Sequence, residues 1–444
     1  MHAVAYFEIM MKRIIEEAKQ LREESIRLRR DFHKYPERGF CEFRTASIII
    51  DYLKELGYDV YYGNDVINKE YIFGSPDPAL LAAEKSRALS EGVSEEIIDA
   101  MYGGATAVVA TIKGKKSGDS KVVAFRFDID CNELTESDNE EHRPCRAGFA
   151  SVHSGCAHAC GHDGHAAIGL TLAKILSTNR DQFSGVVKLI FQPAEEGVRG
   201  AAAMVAAGVV DDVDYFFSGH LGIAAKKSGE FVCSTDSFLC ASKFDAEFFG
   251  KSSHAGLAPQ AGNNALLAAA QATLSLHGIS RHGDGASRIN VGIISGGSGR
   301  NVIPEYAKIM FETRGETDHI NSYMVERAKS IIKASADIYG VESDMRCVGH
   351  ASSFKPDLDF SNEIYSIAKG SSIFDNIVLK ADMNASEDCT AFMNRVIDNG
   401  GKASFFMFGT DLASPHHTPE FDINEDSLVD AVAMLAVLAI KFAN

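Results

Sequence analysis

The sequence predicts an α/β protein. We expect a larger domain with a largely parallel mixed sheet flanked by helices, and a ferredoxin-like α+β domain inserted into it. Three observations predict this. Apolar runs bounded by turn residues alternate with helical stretches across residues 105–222, the pattern of strands buried on both faces. After about Ser234 the order becomes β-α-β-β-α-β, the ferredoxin-like sequence of elements. From residue 351 helices and strands return, and no repeat or Gly/Ser-rich tether intervenes. The expected division is therefore 1–234 with 351–444 as the larger domain, and 235–350 as the insert.

Each element has its local reason. Residues 11–57 carry apolar positions at helical spacing, and Gly57 follows the run as a C-cap. Within that span RRDFHKYPERGFCEFRTA looks like a loop. Residues 77–101 read as an acidic, Ala-rich helical segment at the surface. ATAVVATIKG, KVVAFRFDID, GVVKLIFQPA and VDYFFSGHLG read as strands; HAAIGLTLAKILSTN and GAAAMVAAGVV read as helices. In the insert, KFDAEFFGKSSHAG is a strand and LLAAAQATLSLHGI a helix. RINVGIISGGSGRNVIP and AKIMFETRG form a strand pair. VERAKSIIKASADIYG is the second helix and SDMRCVGH the fourth strand.

Composition narrows the function. Lys and Arg number 44 against 61 Asp and Glu, a formal charge of −17. Such a balance argues against a nucleic-acid or anionic-membrane partner, which needs clustered basic residues. No stretch reaches the ~18 apolar residues of a membrane span. The run Ala431–Ile440 reads as a buried C-terminal helix. The N-terminus lacks the pattern of a signal peptide. Nine cysteines in a large chain do not suggest a disulfide framework. The expected location is cytoplasmic.

The densest chemical signal is HSGCAHACGHDGH, residues 153–165. Imidazole, thiolate and carboxylate are ligands for zinc-like divalent ions, and the glycines let neighbouring side chains converge. Buried His and Cys, or a zinc knuckle, is the competing reading. Glu195 and Glu196 follow the strand VVKLI, where open α/β sheets bind ligands. On their own they would read as a solvated acidic turn. Gly219-His220 follows another apolar run, and adjacent His416 and His417 lie near the C-terminus. At most one of that pair should reach a given ion. Cys160, His162, Glu196, His220 and His417 together offer five ligands, enough for two ions sharing a bridge. A structural zinc would close at four and need no Glu-Glu pair.

These motifs, with FRFDID, HAG, SGGSGRNVIP, ETRG, SEDCTAFMNRV and FGTDLASPHHTPEFD, resemble the M20 metallopeptidase family in its amidohydrolase branch, subfamily D. The resemblance runs from about residue 28 to 440. The insertion around residues 60–104 and the stretch VVDDVDYF favour the branch's p-aminobenzoyl-glutamate subgroup over auxin-conjugate or hippurate hydrolases. The resemblance implies Cys160 as a bridging thiolate, with His162, Glu196, His220 and His417 completing sites for two divalent ions, Zn or Mn. It implies Glu195 as general base and then acid. His254 in SSHAG would donate to the substrate carbonyl, often from the neighbouring subunit of a dimer. Asn301 and Arg314 would help bind a substrate carboxylate, with a salt bridge beside a strand end as the other reading of Arg314. Arg288 is a weaker candidate. Asp130 matches an aspartate that orients a metal ligand. Asp128 replaces a metal-binding histidine of the wider family, and neither aspartate is placed in the metal set. His33 reads as fixing a loop, and His153, His158 and His165 as hydrogen-bonding partners around the ligands; Cys156 either alters redox sensitivity or simply packs, and Glu387 and Asp388 either brace the metal shell or contact substrate.

The implied activity is hydrolysis of an N-acyl amino acid, with p-aminobenzoyl-glutamate split to p-aminobenzoate and glutamate. The implied assembly is a homodimer, or a heterodimer with a homologous B subunit, the insert serving as lid and dimerisation domain. The alternatives are a broader aminoacylase or carboxypeptidase, a structural zinc protein, and a catalytically silent subunit. A silent subunit would have lost Glu195 or ligands, and all are present.

Overall fold

The computed structural model describes residues 2–444, with side chains from residue 6 onward. Its main sheet takes up eight strands in two portions of the chain. The first portion supplies β1 (Asp59–Tyr62), β2 (Val108–Lys113), β3 (Val122–Asp128), β4 (Val186–Gln192), β5 (Tyr215–Leu221) and β6 (Glu230–Val232). The chain then leaves for a separate four-stranded sheet of β7 (Cys240–Phe249), β8 (Ser287–Gly296), β9 (Tyr306–Gly315) and β10 (Glu342–Ala351). It returns with β11 (Asn376–Val378) and β12 (Lys402–Phe408).

The main sheet runs β1-β2-β4-β3-β5-β12-β6-β11. Its centre, β4-β3-β5-β12, is parallel throughout, and antiparallel pairs lie on either side of it. The parallel strands are buried along nearly their whole length, which explains why they read as continuous apolar runs. Helix His162–Thr178 is buried on almost every side. It packs against the C-terminal helix Ser427–Phe442, whose apolar run is buried as expected. Gly169 lets helix His162–Thr178 lie close on the sheet: a Cβ there would stand 2.7 Å from both Phe127 of β3 and Phe191 of β4.

The smaller sheet has order β8-β9-β7-β10, all antiparallel, with helices Ala265–His277 and Asp318–Tyr339 packed against it. Helix, strand and strand-pair succession therefore follow the ferredoxin-like order.

Several local expectations shift. The stretch read as a loop at residues 29–46 is mostly helical: one helix runs through Lys34 and the next starts at Phe43. Only residues 35–42 depart from helix, because Pro36 cannot continue one and Gly39 and Phe40 turn the chain. The 77–101 segment is two helices, Pro78–Ser90 and Glu95–Met101, capped by Asp77 and Ser94 and separated at Gly92. The strand expected over residues 243–256 ends at Phe249, and Ser253–His254 pairs instead with Val302–Ile303.

Candidate active site

The parallel strands deliver the candidate ligands to one edge of the sheet. Asp128 ends β3 and Asp130 follows it; Glu195 and Glu196 follow β4; His220 is the penultimate residue of β5; His417 is in the loop after β12. Cys160 and His162 open the buried helix that precedes β4. This is the crevice outside the carboxyl ends of the strands, where open α/β sheets bind ligands. Gly161, with φ of 92°, makes the tight turn that sets Cys160 beside His162.

Cys160 is the centre of the cluster. Its Sγ lies 3.4 Å from His220 Nε2 and 3.3 Å from His417 Nε2. His417 Nε2 is also 3.3 Å from Glu196 Oε1. Ligand atoms of His162, Glu195 and Glu196 come within 4.8 Å of one another, as do those of Cys160, His162 and His220. The structure thus brings together all five expected ligands and Glu195.

The surrounding hydrogen bonds aim the donors inward. His162 Nδ1 donates to the Asp130 carbonyl at 3.0 Å and faces its Oδ1 at 3.2 Å. His220 Nδ1 donates to the Leu221 carbonyl at 2.8 Å. In both rings the proton is therefore fixed on Nδ1, leaving Nε2 as a lone-pair donor. His162 Nε2 is buried and has no hydrogen-bond partner. A buried imidazole nitrogen without a partner, facing a thiol and two carboxylates, fits a metal ligand. So does a donor set of sulfur, nitrogen and oxygen.

A second layer holds the carboxylates. Asp130 Oδ2 accepts from Glu196 N at 2.9 Å, so one aspartate positions two candidate ligands. Asn132 Nδ2 donates to Glu196 Oε1 at 2.6 Å, and its Oδ1 accepts from Ala159 N at 3.1 Å. Sequence reasoning missed Asn132; its proximity to FRFDID was the available signal. Asp128 accepts from His165 Nδ1 at 2.6 Å and from Arg126 at 2.8 Å. Arg126, fully buried, also reaches Glu387 and Asp388. Asp388 then accepts from Gly200 N and Ala201 N, bracing the loop that carries the glutamates. Ala194, Val198 and His417 adopt left-handed backbone although none is glycine, a strain of about 1–3 kcal/mol each that the packing must hold.

Electrostatics divide the two glutamates. Burial pushes the Glu195 carboxyl well above the usual range, and Glu387, Glu196 and Asp388 push the same way. Burial acts on Glu196 too, but His417, His162 and Asn132 overcome it and bring it down to about 2. Hydrogen bonds with Cys160 and Glu196 raise His417 to about 10. Burial holds His220 well below its ordinary value. Two adjacent carboxyl groups with opposite shifts are suited to different tasks, one to carry a proton and one to bind a cation.

The remaining candidates lie elsewhere. His416 Nε2 donates to the Leu221 carbonyl at 3.1 Å, so only His417 of that pair reaches Cys160. His254 is exposed, and its Nδ1 accepts from Gly256 N and Leu257 N. The Asn301 carbonyl accepts from Ala255 N, which puts Asn301 beside His254. Arg314 is ion-paired with Glu312 at 2.8 Å, opposite Arg288 in the register. Both arginines line a cavity of about 1370 Å³ that also meets Ser237 and Asn384. Among the described residues, no hydrogen bond joins His254, Asn301 or Arg314 to the Cys160 cluster within one chain. His33 ties Asp163 to Glu136 from within a helix. His153 binds Glu91 and the Pro36 carbonyl. His158 is buried with neither ring nitrogen paired.

Fold and site define a metal-dependent amidohydrolase. The chain belongs to peptidase family M20/M25/M40, whose sequence pattern matches residues 124–441. It is 47% identical over 415 residues to a subunit of the p-aminobenzoyl-glutamate hydrolase of Escherichia coli (strain K12), covering 93% of this chain and 94% of that one. It is 46% identical over 431 residues to indole-3-acetyl-aspartic acid hydrolase of Enterobacter agglomerans, covering 96% and 98%. The crystal structure of an aminobenzoyl-glutamate utilization protein from Klebsiella pneumoniae superposes with a TM-score of 0.81 at 39% identity, over 96% of this chain and 97% of that one. The fold is also that of the Bacillus subtilis YXEP protein, described as a dinuclear metal binding peptidase, at a TM-score of 0.65 and 23% identity over 96% and 99%. No helix of the described residues is long and apolar enough to cross a membrane.

Proposed function

We propose that this enzyme hydrolyses the amide bond of an aromatic N-acyl acidic amino acid, p-aminobenzoyl-glutamate above all, to p-aminobenzoate and glutamate. The observation that carries the reading is a buried Glu195 beside a Cys160-centred ligand cluster, in a chain 47% identical to part of a hydrolase named for that substrate. A second reading has its own support: the relative named for indole-3-acetyl-aspartate is 46% identical. Both names describe an aromatic acyl group on a dicarboxylic amino acid.

Cys160, His162, Glu196, His220 and His417 would hold two divalent ions, zinc or manganese. Such ions would supply Lewis acidity for a carbonyl oxygen and for water, and their positive charge would favour the ionised form of the Glu195 carboxyl. Glu195 takes the proton of the attacking water and returns it to the departing amine, so its carboxyl changes protonation twice per turnover. Asp130 and Asn132 hold His162 and Glu196 in place while it does so. His254 would donate to the substrate carbonyl, and Asn301 and Arg314 would meet its carboxylates, since a guanidinium recognises carboxylate by paired hydrogen bonds.

Among the described residues His254 is exposed and makes no hydrogen bond to the Cys160 cluster, which supports a site completed by a second subunit. That second chain would be another copy or a homologous B subunit. The Escherichia coli relative is named as one subunit of its hydrolase, which supports the latter. Residues 235–350 would form the lid and the dimer contact, with 1–234 and 351–444 as the catalytic domain. A cytoplasmic location fits a folate breakdown product as substrate.

The test is p-aminobenzoate release by purified protein loaded with zinc or manganese, beside a chelated control and indole-3-acetyl-aspartate. Metal-dependent release is expected, with p-aminobenzoyl-glutamate preferred. Failure on both substrates by a protein that holds about two ions, as a paired site requires, and that has been supplied with a homologous B subunit, would refute the substrate class. Mixing His254→Ala with Glu195→Gln chains should restore part of the activity; none in verified mixed dimers would refute the shared site.

A further inference from the structure

A second group of metal-ligand side chains lies where the chain passes between its two sheets. Cys240 begins β7 as the chain enters the small sheet, and His350 is the penultimate residue of β10 as it leaves. Asp318 begins helix Asp318–Tyr339. Cys240 Sγ is 3.3 Å from Asp318 Oδ1. One donor atom each from Cys240, Asp318 and His350 lies within 4.8 Å of the other two. The register explains the meeting: Ser242 sits opposite His350 across β7 and β10, and Cys240, two residues earlier, points to the same face. All three residues line one cavity of about 450 Å³.

We propose that Cys240, Asp318 and His350 form a further metal site, for a borderline-soft divalent cation of the zinc type, that ties together the two connections between the domains. Sulfur, nitrogen and oxygen donors together suit zinc, whereas calcium and magnesium take oxygen ligands. Three protein ligands leave a fourth position that the cavity can fill with water. The ring nitrogens of His350 face the hydroxyls of Ser242 at 3.1 Å and Ser352 at 3.3 Å, groups that can turn aside without leaving a charge unpaired. The Cys240 thiol donates to Asp318; on binding, that proton passes to solvent, one per ion. Asp318 stands at the positive end of its helix, which opposes a cation, so the thiolate and the carboxylate are both needed to offset it.

The site has a mechanical consequence. Asp318 Oδ2 also accepts from the backbone N of Ser353 at 3.1 Å and from its Oγ at 2.5 Å. Ser353 belongs to the returning connection, and Cys240 is the first residue of β7, where the outgoing one ends. An ion on Asp318 therefore stiffens both together, at the place about which the small sheet must turn if it moves.

Zinc content of the full-length protein tests this, after dialysis against chelator-buffered zinc. Cys240→Ala and His350→Ala should each bind one zinc per chain fewer than the parent protein, and Glu196→Ala should retain the ion that they lose. The readout is a difference between proteins, so it stands whether or not the Cys160 cluster holds two ions. Equal zinc in the parent and both variants overturns the proposal. If Cys240→Ala does not fold, His350→Gln decides: its amide preserves hydrogen bonding to the serines, and zinc content equal to the parent's would overturn the assignment.

Discussion

Asp130 offers the sharpest test of how the candidate metal centre is held. Its two carboxylate oxygens do different things, one facing His162 Nδ1 at 3.2 Å and the other accepting from Glu196 N at 2.9 Å. In Asp130→Asn one oxygen remains. It can keep the Glu196 N–H, but the amide NH₂ then faces the His162 Nδ1–H, donor against donor. The Asp130 carbonyl at 3.0 Å still fixes the His162 tautomer, so the loss is partial. Partners of metal ligands are worth about 10- to 100-fold in metal affinity, and Asp130→Asn should fall near tenfold, about 1.4 kcal/mol. Asp130→Ala loses both bonds and leaves the Glu196 N–H unpaired, so it should approach 100-fold, about 2.7 kcal/mol. Competition titration with a chelator of known affinity measures both. Unchanged affinity in the two variants, or a larger loss in Asn than in Ala, would refute the assignment of Asp130 as the brace.

Three further outcomes follow from the same geometry. Glu195→Gln should abolish turnover while metal content stays at the parent level, because Glu195 carries the proton in the proposed reaction; elemental analysis beside the activity assay separates the two. Gly169→Ala should cost about 1–3 kcal/mol, since its methyl would press on Phe127 and Phe191 at 2.7 Å, and a urea unfolding midpoint will register it. The third concerns acid. Burial would raise the Asp422 carboxyl, but Arg29 and Arg143 outweigh it and hold the group below its ordinary value. A depressed carboxylate contributes stability that is present above its unfolded pKa of about 3.9 and is lost as pH falls through the folded value. Asp422→Asn should therefore be less stable than the parent at pH 7, with the gap closing below about pH 4. A gap that stays constant between pH 7 and pH 3 would count against the charge pairing as its source.

Much of this was legible in the chain itself. Strands buried on both faces must be apolar throughout, so KVVAFRFDID and GVVKLIFQPA announced a parallel sheet without any structure. The β-α-β-β-α-β order of the insert was readable for the same reason, since periodicity belongs to local sequence. Residues that differ chemically from their surroundings, such as Cys160, His162 and the Glu195-Glu196 pair, declared themselves by type and spacing. Helix boundaries around Pro36 and Gly92 were less legible, because capping and packing decide them residue by residue.

What the sequence determined by itself was therefore the class of fold and the inventory of donors, both properties of neighbouring residues. Only the tertiary structure decided which donors meet. His220 and His417 are far apart in the chain, yet both reach Cys160 because β5 and β12 lie side by side and end at the same edge of the sheet. The choice of His417 over His416 rests on a left-handed backbone at residue 417 and on the Leu221 carbonyl that engages His416. Asn132 stood next to FRFDID, but its role as a brace for Glu196 could not be read there, since an asparagine's partner is set by packing and not by spacing. The Cys240, Asp318 and His350 group was invisible as well: 78 residues separate the first two, and only the pairing of β7 with β10 and the start of the helix above them place three unlike side chains on one cavity.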